Sequence, residues 1–166
     1  HKDLAAGEVI YLKNFTEVFD LFYNSKRFEF SINHLLLTWN AVDLFNRLLK
    51  VMEDQVQSAL SLDNQYRVFA DAFALKENPL ALDLLKLDYL YHQKVYRLPP
   101  FMQSGALFKT WPEDRKTPVI PFQHEIQITG SQARMTSTSE PLYYVVVHPD
   151  NSHGYITRPE VKRAMV

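Results

Sequence analysis

The chain has 166 residues, 46% of them hydrophobic and 22% charged, a balance that suits a packed domain and excludes a disordered tail. Its formal net charge is -1, so no bulk positive field draws it to nucleic acid or to an anionic membrane. It has no cysteine, which excludes disulfides, thiolate zinc sites and iron–sulfur ligation by this chain and accords with a cytoplasmic setting.

Residues 1–98 read as a zone of about five helices. The opening "HKDLAAGEV" is not a signal peptide, no apolar run is long enough to span a bilayer, and a start at His1 rather than methionine suggests a piece of a longer protein. In "FTEVFDLFYN", Phe15, Val18, Phe19 and Phe22 recur at helical spacing, and Asn24-Ser25 breaks the pattern. Phe28 to Leu37 predicts a short second helix. Asn40 is a candidate N-cap, with Asp43 in the first turn and Trp39 placed to pack on Leu44. Beyond it Phe45, Leu48, Leu49, Met52 and Val56 form an apolar stripe, and Asp43 and Arg47 can pair on the outer side. A fourth helix is predicted around Tyr66–Leu75. A fifth starts at Asn78-Pro79, a cap followed by proline at the first helical position, and runs to about His92. Phe19, Phe22, Phe45, Leu48, Phe69, Phe73 and Leu85 are the expected core.

Residues 99–121 hold Pro99, Pro100, Pro112, Pro118 and Pro121, five of the nine prolines, and read as an extended connection. Residues 122–166 read as a β-rich zone. Phe122, His124, Ile126 and Ile128 alternate with Gln123, Glu125, Gln127 and Thr129, as in a half-buried strand. "LYYVVV" (142–147) is continuously apolar and predicts a central strand. Thr157 with Glu160 suggests a capping box that opens a terminal helix. The expected fold class is therefore α+β: a helical zone, a proline-rich tie, a small mostly antiparallel sheet and a last helix, within one domain.

Asp88 is the residue that asks for a reason. A helix turns roughly 100° per residue, which puts Asp83, Lys86 and Gln93 on one side, the expected solvated stripe, and Asp88 on the other, beside Ala81, Leu84, Leu85 and His92. A buried carboxylate must be satisfied. His92, Arg97 and the tyrosines at 89, 91 and 96 are within reach, so the favoured reading is a structural anchor, Asp88 with His92 and Arg97, that ties the helix to the "RLPPF" loop. The alternative is an Asp88–His92 acid–base pair in a free-standing small-molecule enzyme.

Other patterns carry less. His148, Asp150 and His153 in "HPDNSH" could hold a transition metal, but Pro149-Asp150-Asn151 is also an ordinary turn, and the turn is the reading preferred. His124 is expected to be a half-buried histidine with a partner. "YHQKVYR" mixes bases and aromatics; one such cluster in a near-neutral chain is better explained by snorkelling bases than by RNA contact. There is no glycine-rich phosphate loop and no nucleophile elbow.

"FYNSKRF" (22–28) and "LLKLDYLYHQKVYRLPPFM" (84–102) together resemble the uncharacterised C-terminal domain of cobalamin-binding radical S-adenosylmethionine proteins. Lys26 stands where that family's turn would have glycine, and Leu87 where it would have an aromatic residue. The resemblance covers mainly the helical zone and implies that chemistry lies upstream, in a cobalamin-binding domain and a barrel whose three cysteines hold a four-iron four-sulfur cluster. With no cysteine and no phosphate loop, no cofactor is expected in this chain; by the resemblance, S-adenosylmethionine, the cluster and cobalamin would belong to the whole protein. The expected role is a non-catalytic accessory domain whose partner is the upstream barrel of the same polypeptide, with neither nucleic acid nor membrane as partner. A plain protein-interaction module is the third reading.

Overall fold

A computed structural model describes residues 5–53, 60–93, 97–103, 109–110, 118–149 and 158–164. Helix α1 (Ala6–Phe19) begins well before the apolar spacing at Phe15. Its start is fixed by Glu8, whose carboxylate accepts the Ala5 N–H at 2.8 Å. The helix continues as a π-helical turn, Asp20–Asn24, in which the Ser25 N–H reaches the Asp20 carbonyl at 3.1 Å. Lys26 then takes a left-handed conformation, φ 60°, and reverses the chain.

Helix α2 (Glu29–Leu35) follows, then α3 (Ala41–Glu53). Asn40 acts as predicted at the start of α3, its Oδ1 accepting the Val42 N–H at 2.8 Å. Arg47 does not pair with Asp43. Its Nε donates to the Ala72 carbonyl of the next helix, and its guanidinium lies 5.8 Å from the Trp39 ring centroid. A tertiary acceptor is fixed in place, whereas an exposed ion pair is worth little. Helix α4 (Leu62–Ala72) starts at Ser61, earlier than Tyr66, and stops short of Leu75, which opens a 3-10 turn. Helix α5 (Pro79–His92) starts where Asn78-Pro79 predicts, with Asn78 Oδ1 accepting the Ala81 N–H at 3.2 Å.

Among the described residues four antiparallel strands follow in the order β1 (Lys109–Thr110), β2 (Pro118–Thr129), β3 (Gln132–Val147), β4 (Glu160–Arg163). β2 begins inside the stretch read as a connection and includes Pro118 and Pro121. Among the described residues β1 covers only its first residues, which leaves the rest of β2 at the edge, where proline is tolerated. Gly130, φ 62°, supplies the left-handed residue of the tight turn into β3. β3 lies between β2 and β4, so "LYYVVV" is central as expected. Among the described residues the terminal helix is not found. Glu160–Arg163 is strand β4, where Val161 pairs with Val146; pairing to an apolar strand outweighs the capping pattern, and Thr157 lies outside the described residues.

The fold is thus α+β. The main core runs through both parts: Phe22, Phe28, Tyr66, Phe69, Leu84 and Leu85 from the helices join Ile120, Phe122, Tyr144 and Val146 from the sheet. Of the expected core, Phe22, Phe45, Leu48, Phe69 and Leu85 are buried, and Phe19 and Phe73 are half-buried. Val9, Ile10, Tyr11 and Leu12, in the first half of α1, are exposed. Among the described residues no helix is long and apolar enough to cross a membrane.

Candidate functional site

α5 is apolar on nearly every face, with Leu84, Leu85, Leu87 and Leu90 all buried, and such a helix lies inside the molecule. Helices α2 and α4 pack on one side of it and the sheet on the other. Its two aspartates, five residues and therefore roughly 140° apart, look into these two different environments.

Asp88 is fully buried, and its two oxygens accept the backbone N–H groups of Phe30 (2.9 Å) and Ser31 (2.8 Å). These are two of the free donors in the first turn of α2. The residue at the N-cap position there is Phe28, which has no side-chain acceptor. Asp88 therefore caps α2 from another helix. Burial pushes its carboxyl up to about 7, against the two N–H groups, which favour the ionised form. The nearby Tyr66 hydroxyl is raised too, first by burial and then by the Asp88 charge.

The expected partners of Asp88 are corrected by this geometry. Among the described residues Asp88 makes no hydrogen bond to His92 or Arg97. Arg97 is exposed. His92, at the end of α5, is exposed at the surface; partial burial of its ring lowers its pKa, and the nearby Lys26 backbone acts the other way. The wheel placed Asp88 on the right side of the helix. It could not show that a helix terminus 57 residues away would lie against it. Tyr96 lies outside the described residues.

The segment that receives this cap is held on both sides. The Tyr66 hydroxyl donates to the Arg27 carbonyl at 2.9 Å, and Arg27 donates to Gln65 at 3.1 Å. The Phe28 ring sits 4.5 Å from Tyr66, 4.9 Å from Phe69 and 5.0 Å from Phe22, centroid to centroid.

The second aspartate overturns the reading of Asp83 and Lys86 as an outer stripe. Both are 1% exposed. Asp83 Oδ1 accepts from Lys86 Nζ at 2.8 Å, and Oδ2 faces the Gln123 N–H at 2.8 Å and His124 Nδ1 at 2.9 Å. Lys86 also reaches the Pro121 carbonyl at 3.5 Å and lies 5.5 Å from the Phe122 ring centroid. His124 thus has the partner expected of it. The available signal was α5 itself: in a helix apolar all round, two charges on opposite sides require two separate polar environments.

β2 and β3 lose register beside this cluster. Phe122 pairs with Leu142, but His124 pairs with Ser137, so residues 138–141 bulge out of β3. A cavity of about 420 Å³ opens there, lined in part by Gln123, His124, Ser137, Thr138 and Glu140.

His148 faces the Leu90 carbonyl through Nε2 at 2.9 Å, while Asp150 and His153 lie outside the described residues. Among the described residues no three His, Asp or Glu side chains gather to hold a metal ion.

A search of curated proteins and of solved structures returns no match to the chain. One family model matches residues 1–117, which take in both Asp88 and the segment it caps. The chain belongs to that family, described as protein of unknown function (DUF4080).

Proposed function

We propose that this chain is a non-catalytic accessory domain at the C-terminal end of a cobalamin-dependent radical S-adenosylmethionine enzyme, where it caps the barrel or shapes access to it. One observation carries the reading. The two stretches that resemble such tails, 22–28 and 84–102, meet through the interior of the fold, with Asp88 bonded to the helix that follows the first stretch. Residues used in this way define an architecture rather than a reaction. Lys26 adds support, since it is left-handed where the resembled turn would carry glycine. The exposed Val9, Ile10 and Leu12 of α1 are the surface suited to lie against the barrel.

The same geometry disfavours an Asp88–His92 enzyme, because both oxygens of Asp88 already accept backbone N–H groups. In the proposed whole protein, S-adenosylmethionine, the cluster and cobalamin are held upstream; this chain has no cysteine with which to hold a cluster. The test is anaerobic purification of the natural polypeptide that contains this chain, with iron and sulfide analysis and an absorption spectrum. Four irons per chain and a corrinoid band are expected, and deletion of residues 1–166 should leave both in place while altering substrate turnover. A natural polypeptide with neither cluster nor corrinoid would overturn the proposal.

A further inference from the structure

The register break between β2 and β3 has a chemical result. It takes the Gln123 N–H out of the ladder, and Asp83 accepts it. The same carboxylate oxygen holds His124 Nδ1 at 2.9 Å. A nitrogen facing a carboxylate carries the ring proton, so in the neutral imidazole Nε2 keeps its lone pair. The His124 side chain is 12% exposed, against 1% for Asp83, and it lines the cavity of about 420 Å³. An acceptor is therefore fixed in orientation at the wall of a space of small-molecule size.

We propose that this cavity binds a small neutral molecule bearing several hydroxyl groups, a polyol or sugar fragment, one of whose hydroxyls donates to His124 Nε2. A hydroxyl fits because it can give a hydrogen to the lone pair and accept others from Ser137 and Ser139, which line the same space; Thr138, whose hydroxyl donates to the Glu140 carbonyl, offers a lone pair. An anion does not fit. Among the described residues no Lys or Arg lines the cavity; Lys86 is buried against Asp83 and the Pro121 carbonyl, and the lining carries the carboxylate of Glu140. The rings of Pro79 and Pro141 offer C–H surface to the carbon skeleton.

The cost of the supporting cluster points the same way. A buried ion pair such as Asp83–Lys86 is often no more stabilising than apolar residues of equal volume, which leaves room for a use beyond stability. Here it fixes the histidine; Asp83 is a positioning residue and His124 the binding residue. This inference stands apart from the accessory role proposed above.

The experiment is an amide NMR titration of the full chain with ribose and with glycerol, and separately with inorganic phosphate and methylammonium. Saturable shifts with a polyol, confined to Gln123, His124 and residues 137–140, are expected. The His124→Asn variant keeps a donor for Asp83 but lacks the Nε2 acceptor, and should weaken polyol binding about tenfold, the effect of one lost hydrogen bond. Ser139→Ala, on the exposed bulge, gives a second variant that leaves the buried cluster intact and should also weaken binding. Long-range ¹⁵N–¹H spectra should show His124 protonated at Nδ1, and Asp83→Asn should change that tautomer balance. No saturable polyol shift, binding by phosphate or methylammonium alone, undiminished binding by His124→Asn, or a proton on Nε2 in the free protein would each overturn the assignment.

Discussion

Asp88 takes two backbone N–H groups and, among the described residues, no ion pair. Burial lifts its carboxyl from 3.8 to about 7, so the folded state holds a proton that the unfolded chain releases earlier. The stabilising contribution of that proton is fully present below about pH 4 and is lost as pH rises to about 7, a change of about 4 kcal/mol. Stability of the wild type relative to Asp88→Asn should therefore fall between pH 4 and pH 8 in urea titrations. A difference that grows with pH would show instead that the two amides hold the carboxylate ionised. At neutral pH, Asp88→Ala should be more damaging than Asp88→Asn by about 1–3 kcal/mol, since it strands two donors where Asp88→Asn strands one. Lys26 tests the turn at the same scale. Lys26→Gly removes left-handed strain but loses the contact with the Tyr23 ring, 4.8 Å from Nζ, and should raise stability by about 0.5–1 kcal/mol. A drop in the denaturant midpoint would place the strain elsewhere.

At the scale of elements, α5 shows what the sequence made legible and what it withheld. Its start at Asn78-Pro79, its length and the inward side of Asp88 follow from local chemistry and a 3.6-residue period. The outward assignment of Asp83 and Lys86 failed because a wheel has one solvent side only if the helix has, and α5 has none. The partners of both aspartates come from distant segments, which no local pattern encodes. β4 was misread for a related reason: a capping pattern is local, whereas the edge of β3 that recruited Val161 is not. The buried pair can be weighed directly. Lys86→Met leaves Asp83 without its cation and should cost about 3–5 kcal/mol, whereas Lys86→Met with Asp83→Leu should recover a large part of that loss. If the double variant is no more stable than Lys86→Met alone, the pair makes no net coupling. Among apolar contacts, Phe69→Ala should cost about 3–5 kcal/mol and Val9→Ala close to none, because Phe69 is fully buried and Val9 is 51% exposed.

For the molecule as a whole, the helices and the sheet share a core, so they should unfold together. Far-ultraviolet circular dichroism and sheet-located NMR signals should give the same denaturant midpoint. A chain cut after residue 117, where the family match ends, would lack Ile120, Phe122, Tyr144 and Val146 and should lose that cooperative transition. Two separate transitions in the full chain would mean that the two parts are independent. The cap on α2 has a kinetic counterpart. The first amides of a short helix normally fray and exchange their hydrogens with water within the native state. Here the amides of Phe30 and Ser31 are closed by a carboxylate from the most deeply enclosed helix, and they cannot open unless α2 parts from α5. Their deuterium uptake should therefore track the global opening of the protein, making a helix end, ordinarily the fastest clock in a fold, one of its slowest.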